Sequence, residues 1–115
     1  MRTKKTEERY RRYQKTHFKL GQCTLCDRKK VKPRKVFHYW KIINNWFPWD
    51  LIAKTHHLII PKRHVAYDKL NRKEKSELEK LKLGYINNHY GIIAEATHRK
   101  KSIPDHFHLH LITPK

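Results

Sequence analysis

The chain has 115 residues and a formal net charge of +18, because 28 lysines and arginines stand against 10 acidic residues. This length accommodates one small domain and excludes a second core. A hydrophobic content of 37% is enough for a single core, which argues against a wholly disordered chain. The sequence has no apolar run of membrane-spanning length, and no apolar segment follows the basic N-terminus as in a secretory signal. We therefore expect a cytoplasmic protein without a membrane partner.

Positive charge is concentrated in the first third of the chain. Residues 1–41 contain 15 basic and 3 acidic residues, a balance of +12, whereas residues 42–115 contain 13 and 7, a balance of +6. Tyr10 and Tyr13 lie among these charges. Such a segment is typical either of a surface that binds polyanions, nucleic acid above all, or of an ordinary solvated face.

The N-terminal segment is predicted to be helical. Residues 3–16 are polar and rich in helix formers, and either Thr3 or Thr6 can act as the N-cap. We expect residues 1–19 to form a basic helical extension and residues 20–115 to form the folded domain.

The rest of the chain indicates an α+β fold. Strand-like runs of β-branched, aromatic and aliphatic residues predict strands at 36–43, 56–60, 92–97 and 106–112. A long helix is predicted from Arg72 to about His89, beginning at a capping box made by Asn71 and Glu74. Residues 22–35 are predicted to be a loop. Strands with short connections and one long crossover helix indicate a mostly antiparallel sheet.

Three histidines alternate with apolar residues near the C-terminus, in the sequence His106-Phe107-His108-Leu109-His110-Leu111-Ile112. Alternate residues of a strand face opposite ways, so the three imidazoles are expected on one face and the apolar side chains in the core. Two chemistries use such a row. One is a catalytic zinc site with His106 and His108 as ligands, and the other is an imidazole nucleophile that attacks phosphorus.

The two cysteines, Cys23 and Cys26, form a Cys-x-x-Cys pair. Taken alone, such a pair has three possible interpretations: a redox motif, half of a metal site, or two unrelated thiols. A closed tetrahedral zinc site would need two further ligands from elsewhere in the chain.

The histidine row and the upstream segment His56-His57-Leu58-Ile59-Ile60-Pro61-Lys62-Arg63-His64 together resemble the two motifs of the histidine triad (HIT) superfamily of nucleotide hydrolases and transferases. The aromatic run at 45–50 is similar to the Pro-containing stretch that precedes the first motif in bacterial members. The resemblance covers roughly residues 20–115. It implies a HIT-like fold and hydrolysis or transfer at the α-phosphate of a phosphoramidate, a dinucleoside polyphosphate or a similar nucleotide conjugate.

The resemblance also implies a role for individual positions. His108 corresponds to the nucleophile that is transiently nucleotidylated, and His110 and His56 correspond to the histidines that line the phosphate pocket. Asn45 is the best match to the residue that holds the ribose hydroxyls. Ser102 stands in the segment that grips the phosphate in other members.

A structural zinc ion is implied by the same resemblance, because many bacterial members hold zinc through a Cys-x-x-Cys pair and two histidines. The matching positions here are Cys23, Cys26, His64 and His106. Homodimers are common in the family, and we expect one here.

Two other functions are compatible with the sequence. The first is a non-catalytic, zinc-stabilised module that binds nucleic acid through the basic N-terminal segment, or a HIT enzyme that acts on nucleic-acid ends with the same segment. The second is a hydrolytic zinc enzyme, which would lose activity on chelation without unfolding.

Overall fold

The computed structural model describes residues 1–17, 23–26, 32–97 and 105–115. Within these residues, five strands form one antiparallel sheet in the order β1-β2-β3-β5-β4. The strands are β1 (Pro33–Val36), β2 (Trp40–Asn44), β3 (Ala53–Pro61), β4 (Ile92–Ala94) and β5 (Leu109–Pro114), and the principal helices are α1 (Lys4–His17) and α2 (Arg72–Leu81). The predicted α+β class with an antiparallel sheet is confirmed.

Helix α2 is the crossover connection between β3 and β4. The Asn71 side chain accepts from the Glu74 backbone N–H and the Glu74 carboxylate accepts from the Asn71 N–H, so the predicted capping box is present. The helix continues through a π-helical segment (Lys82–Ile86) and a last turn at Asn87–His89, and it therefore ends where the sequence predicted.

Apolar side chains form a core on each face of the sheet, because neighbouring strand residues point in opposite directions. The larger core lies under α2 and contains Trp40, Ile42, Ile59, Leu70, Leu78, Ile86, Phe107, Leu109 and Leu111. The smaller core, on the other face, contains Leu25, Ile43, Leu58 and Ile60, with Cys23 and Trp46 packed against it. This second face carries the functional residues described below.

The predicted strand at 36–43 is wrong, because the chain turns within it. Val36 pairs with Lys41, and the Phe37 N–H donates to the Trp40 carbonyl at 2.8 Å. The aromatic residues of this turn pack against the crossover helix, as Phe37 does on Tyr85, so they mimic a buried strand in the sequence. The second strand of the hairpin is β2, and β1 begins inside the segment 22–35 that was predicted to be a loop.

The last two strands also differ from the prediction in their bounds. Strand β4 ends at Ala94, and β5 begins only at Leu109. The residues before β5 make other contacts: the Phe107 N–H donates to the Val65 carbonyl at 2.7 Å, and the His106 carbonyl accepts from the His108 ring at 3.0 Å. The expected alternation persists, because Phe107 still enters the larger core.

Helix α1 is present where the sequence predicted it, with Thr3 as its N-cap. The Thr3 hydroxyl accepts from the Thr6 backbone N–H at 3.3 Å. Among the helices of the described residues, none is both long and apolar enough to cross a membrane. The predicted boundary between residues 19 and 20 lies outside the described residues.

Candidate active site and metal centre

Three buried histidines meet on the second face of the sheet, where β3 and β5 are neighbours. His56, His108 and His110 are 5%, 6% and 9% exposed. The ring nitrogens His56 Nε2 and His110 Nδ1 are 2.8 Å apart, and the rings of His108 and His110 have centroids 5.5 Å apart. The structure thus places together the three residues that the resemblance designates as catalytic.

The His108 ring is oriented by the backbone of the residue two positions before it. His108 Nδ1 lies 3.0 Å from the His106 carbonyl oxygen. A carbonyl oxygen can only accept, so Nδ1 must carry the proton. In the neutral ring the lone pair is therefore on Nε2, which is the atom that can act as a nucleophile.

His56 and His110 form a directed chain of hydrogen bonds. The Trp49 backbone N–H lies 2.9 Å from His56 Nδ1, and an N–H can only donate, so the neutral His56 ring carries its proton on Nε2. That proton is donated to His110 Nδ1. The neutral His110 ring is then protonated on Nε2, and the chain ends in an N–H group that can donate to an anion or a leaving group.

Trp49 contributes to this site although the sequence analysis did not single it out. Its indole stacks on the His110 ring, with centroids 4.4 Å apart and planes 24° apart. Together with the backbone bond to His56, this contact fixes both imidazoles. The aromatic run at 45–50 was the available signal, but the sequence could not show which ring faces the histidines.

The two predicted substrate-binding residues have different outcomes. Asn45 lies beside the histidines, but its Nδ2 atom, 3.2 Å from His56 Nε2, meets a nitrogen that already donates to His110, so these two N–H groups do not hydrogen-bond to each other. The Asn45 Oδ1 atom accepts from the Phe47 N–H at 2.9 Å, which fixes the side chain at the start of the aromatic loop. Ser102 lies outside the described residues. The role of each in binding stays a prediction.

Burial and nearby positive charge keep two of the imidazoles neutral. Burial lowers the pKa of His110 to about 3, with smaller contributions from His56, His108 and Arg2. Burial likewise lowers the pKa of His56 to about 4, and Arg2 is the next contributor. At neutral pH both rings therefore act through the neutral hydrogen-bond chain, and a bound anion would favour their protonation.

A second cluster, formed by Cys23, Cys26, His64 and His106, can hold a metal ion. Their ligand atoms all lie within 4.8 Å of one another. The His106 Nδ1 atom is 3.5 Å from Cys23 Sγ and 3.3 Å from Cys26 Sγ, and His64 Nδ1 is 3.2 Å from Cys26 Sγ. A tetrahedral zinc ion with ordinary bond lengths would separate sulfur and nitrogen ligands by about 3.6 Å, so the residues fit such an ion.

The hydrogen bonding of His106 agrees with a role as metal ligand. Its Nε2 atom lies 3.1 Å from the Pro61 carbonyl oxygen and must donate to it. The Nδ1 atom, which faces the cysteines, is then the one with a lone pair available for a metal. Through its carbonyl and its ring, His106 thus contacts both the nucleophile candidate and the metal centre.

The chain matched no protein-family model and no curated protein when it was compared with them. The likeness to the HIT superfamily therefore depends on the two sequence motifs.

Proposed function

We propose that this protein is a nucleotide hydrolase or nucleotidyltransferase of the HIT type, with a HIT-like fold. The observation that carries the proposal is the orientation of His108, whose protonated Nδ1 is bound by the His106 carbonyl while Nε2 is left as the nucleophilic atom. The buried chain from Trp49 through His56 to His110 supports it, because an attack on phosphate also needs a positioned proton donor.

The reaction has two balanced steps. In the first, His108 Nε2 attacks the α-phosphorus, an N–P bond forms, and the bond from phosphorus to the leaving group breaks. The leaving group takes a proton, for which the candidate donor is the Nε2–H of His110 in its protonated form, which a bound anion favours; His110 then returns to the neutral form. In the second step, water or another acceptor attacks the phosphorus atom bound to His108: a new bond to phosphorus forms, the N–P bond breaks, and the proton of the acceptor passes to the neutral His110. The nucleotide is released and the imidazole of His108 is restored.

Zinc is the metal that we propose for the cluster of Cys23, Cys26, His64 and His106. Two thiolates and two imidazoles are a donor set that zinc prefers, and four protein ligands leave no coordination position for substrate. The ion would thus supply structural cross-linking and no reaction chemistry. This argues against the hydrolytic zinc enzyme, since His108 lies outside the cluster.

The first experiment is intact-protein mass spectrometry after brief incubation with adenosine phosphoramidate. The wild-type chain should acquire an acid-labile adenylyl adduct, and His108→Asn should acquire none while turnover falls by about a thousandfold or more. Asparagine keeps an N–H that can donate to the His106 carbonyl but has no nucleophilic nitrogen, so the fold and the metal content should persist.

The matched control is His38→Asn, which removes an exposed histidine whose ring packs on Tyr39. It should form the adduct and turn over substrate as the wild type does. Retained turnover in His108→Asn, with the protein folded, would disprove the proposal. Homodimerisation stays a prediction.

A further inference from the structure

The buried histidines of the candidate active site supply little positive charge of their own. Burial keeps His56 and His110 neutral at neutral pH, with pKa values of about 4 and about 3. The phosphate of a nucleotide is negatively charged, and its transfer from water to a site of neutral rings is costly unless a cation faces it. A permanently charged group beside these rings would therefore favour the binding of a phosphate.

Arg2 is such a group, and it is bound to the loop that lines the histidines. Its Nε atom donates to the Phe47 carbonyl at 2.8 Å. In the same loop, the Trp49 N–H donates to His56 and the Trp49 indole stacks on His110. After burial, the charge of Arg2 is the next cause of the low pKa of His56, and it is a further cause for His110. The guanidinium therefore lies within electrostatic reach of both rings.

The contacts of Arg2 fix its side chain and leave part of the guanidinium available. The group lies over the Tyr10 ring, 4.2 Å from the centroid, and its Nη1 atom pairs with the Glu7 carboxylate at 3.4 Å. Glu7 also pairs with Arg11, so these three side chains keep a positive charge in excess. The Nη2 atom of Arg2 has no hydrogen-bond partner within the described residues, and 19% of the side chain is exposed. An anion that enters the site can bind to this end of the guanidinium.

We infer that Arg2 is a substrate-binding residue of the histidine site, and that its guanidinium binds the phosphate of the nucleotide that His108 attacks. The inference rests on the proposed function and assigns the positive charge that the neutral histidines lack. A hydrogen bond from Nη2 to a phosphate oxygen joins two ionised groups, and such bonds are among the strongest in proteins. Arg2 precedes residues 20–115, which resemble the HIT superfamily, so the resemblance assigns it no role.

Arg9 offers an internal comparison, because it attaches to the same loop by the same kinds of contact. Its Nη2 atom donates to the Trp46 carbonyl at 3.1 Å, and its guanidinium lies 5.4 Å from the centroid of the Phe47 ring. The charge of Arg2 is among the causes of the low pKa of the buried histidines, and that of Arg9 is not. A purely structural role in holding the loop would thus apply to both arginines, whereas a phosphate contact applies to Arg2.

The test measures the binding of AMP and of adenosine to the full-length protein by isothermal titration calorimetry. The two probes differ only in the phosphate. Arg2→Gln removes the charge but keeps an amide N–H that can donate to the Phe47 carbonyl, and Arg2→Lys keeps a charge at this position. Arg9→Gln is the matched control. The Tm of each variant shows whether the fold persists.

The dissociation constant for AMP should rise about tenfold or more in Arg2→Gln, because a charge-assisted hydrogen bond is lost, and that for adenosine should stay within about twofold. Arg2→Lys should recover part of the loss, and Arg9→Gln should bind both probes as the wild type does. The kcat/KM for adenosine phosphoramidate should fall in Arg2→Gln by at least the factor found for AMP, since the same contact is made in the transition state.

Other results would overturn the inference. A parallel loss of affinity for AMP and adenosine in Arg2→Gln would show that Arg2 shapes the loop without contacting the phosphate. An unchanged affinity for AMP in that variant would reject the contact and leave the proposed function intact. An equal loss in Arg9→Gln would show a general charge effect and reject it too.

The proposed function has a separate outcome. AMP binding that depends on Arg2, without an adenylyl adduct on the wild type, would reject the proposed reaction while the phosphate contact stands. A wild type that binds no AMP would reject both.

Discussion

His110 shows how burial sets the protonation state of a single residue. Its ring lies between Trp49 and His56, and burial holds its pKa at about 3, far below the value near 6.5 of an exposed histidine. His108 and Arg2 also face it, and their charge acts in the same direction. Between pH 6.5 and pH 4 the unfolded chain therefore binds a proton at this position that the folded chain does not.

The pH dependence of stability follows from this difference. The contribution of the neutral, buried His110 to the free energy of unfolding is fully present above pH 6.5. It decreases as the pH falls, because the unfolded chain binds a proton at this histidine more readily than the folded chain does. The gap in unfolding free energy between wild type and His110→Gln should therefore narrow by about 1–2 kcal/mol from pH 7 to pH 5. Urea unfolding at each pH measures it.

The control for that comparison is Ile112→Val, on the same strand and without a titrating group. Its effect on the free energy of unfolding should be the same at both pH values. If the difference in unfolding free energy between wild type and His110→Gln were the same at pH 7 and pH 5, His110 would have a similar pKa in the folded and unfolded chains, which would contradict the prediction.

At the scale of elements, one carboxylate binds the first turn of α1 to the aromatic loop. Asp50 accepts from the backbone N–H and hydroxyl of Thr3 and from the hydroxyl of Thr6. These hydrogen bonds, with that of Thr6 first, lower the pKa of Asp50 to about 2. Hydrogen bonds to the ionised Asp50 carboxylate therefore hold the first turn of α1 against the aromatic loop.

Asp50→Asn should weaken this attachment, because the neutral amide has one acceptor oxygen and that oxygen is a weaker acceptor than a carboxylate. We expect a loss of about 1–2 kcal/mol in the free energy of unfolding and faster amide exchange in α1, with little change in β3 and β5. Hydrogen exchange read by mass spectrometry separates the two regions. Asp68→Asn, at an exposed aspartate, is the control. Unchanged exchange in α1 would show that its aromatic contacts suffice.

At the scale of the molecule, the metal cluster joins segments that are distant in sequence. A metal ion bound there would connect the 3-10 turn Thr24–Cys26 to His64, which follows β3, and to His106, which precedes β5. A domain of this size has a small core, so a cross-link of this kind would contribute a large share of its stability. It would also hold His106, whose carbonyl accepts from the His108 ring.

Metal removal should therefore destabilise the fold and lower activity together. We expect one zinc ion per chain by elemental analysis, and a fall of about 10 °C or more in Tm after chelation. His64→Ala should contain little zinc and resemble the chelated protein, whereas His38→Ala should retain the metal. Activity lost on chelation at an unchanged Tm would instead indicate a catalytic metal.

The sequence alone determined the elements that depend on local chemistry. Asn71 and Glu74 predicted the start of α2 because a capping box needs only neighbouring residues. The alternation of histidine and apolar residues predicted that Phe107, Leu109 and Leu111 would enter the core, although the strand itself begins only at Leu109. The grouping of His56 with His108 and His110, and of the cysteines with His64 and His106, came from motif resemblance, and the structure places both groups together.

The tertiary structure decided what depends on residues distant in sequence. The turn at Phe37 mimics a strand because its aromatic residues pack against the crossover helix. Trp49 and Asp50 gain their roles only when the loop meets β5 and α1, since neither side chain has a local pattern that indicates its contact. The tautomers of His56 and His108 were likewise fixed by backbone groups that the fold supplies, because a ring takes its proton position from the partners that surround it.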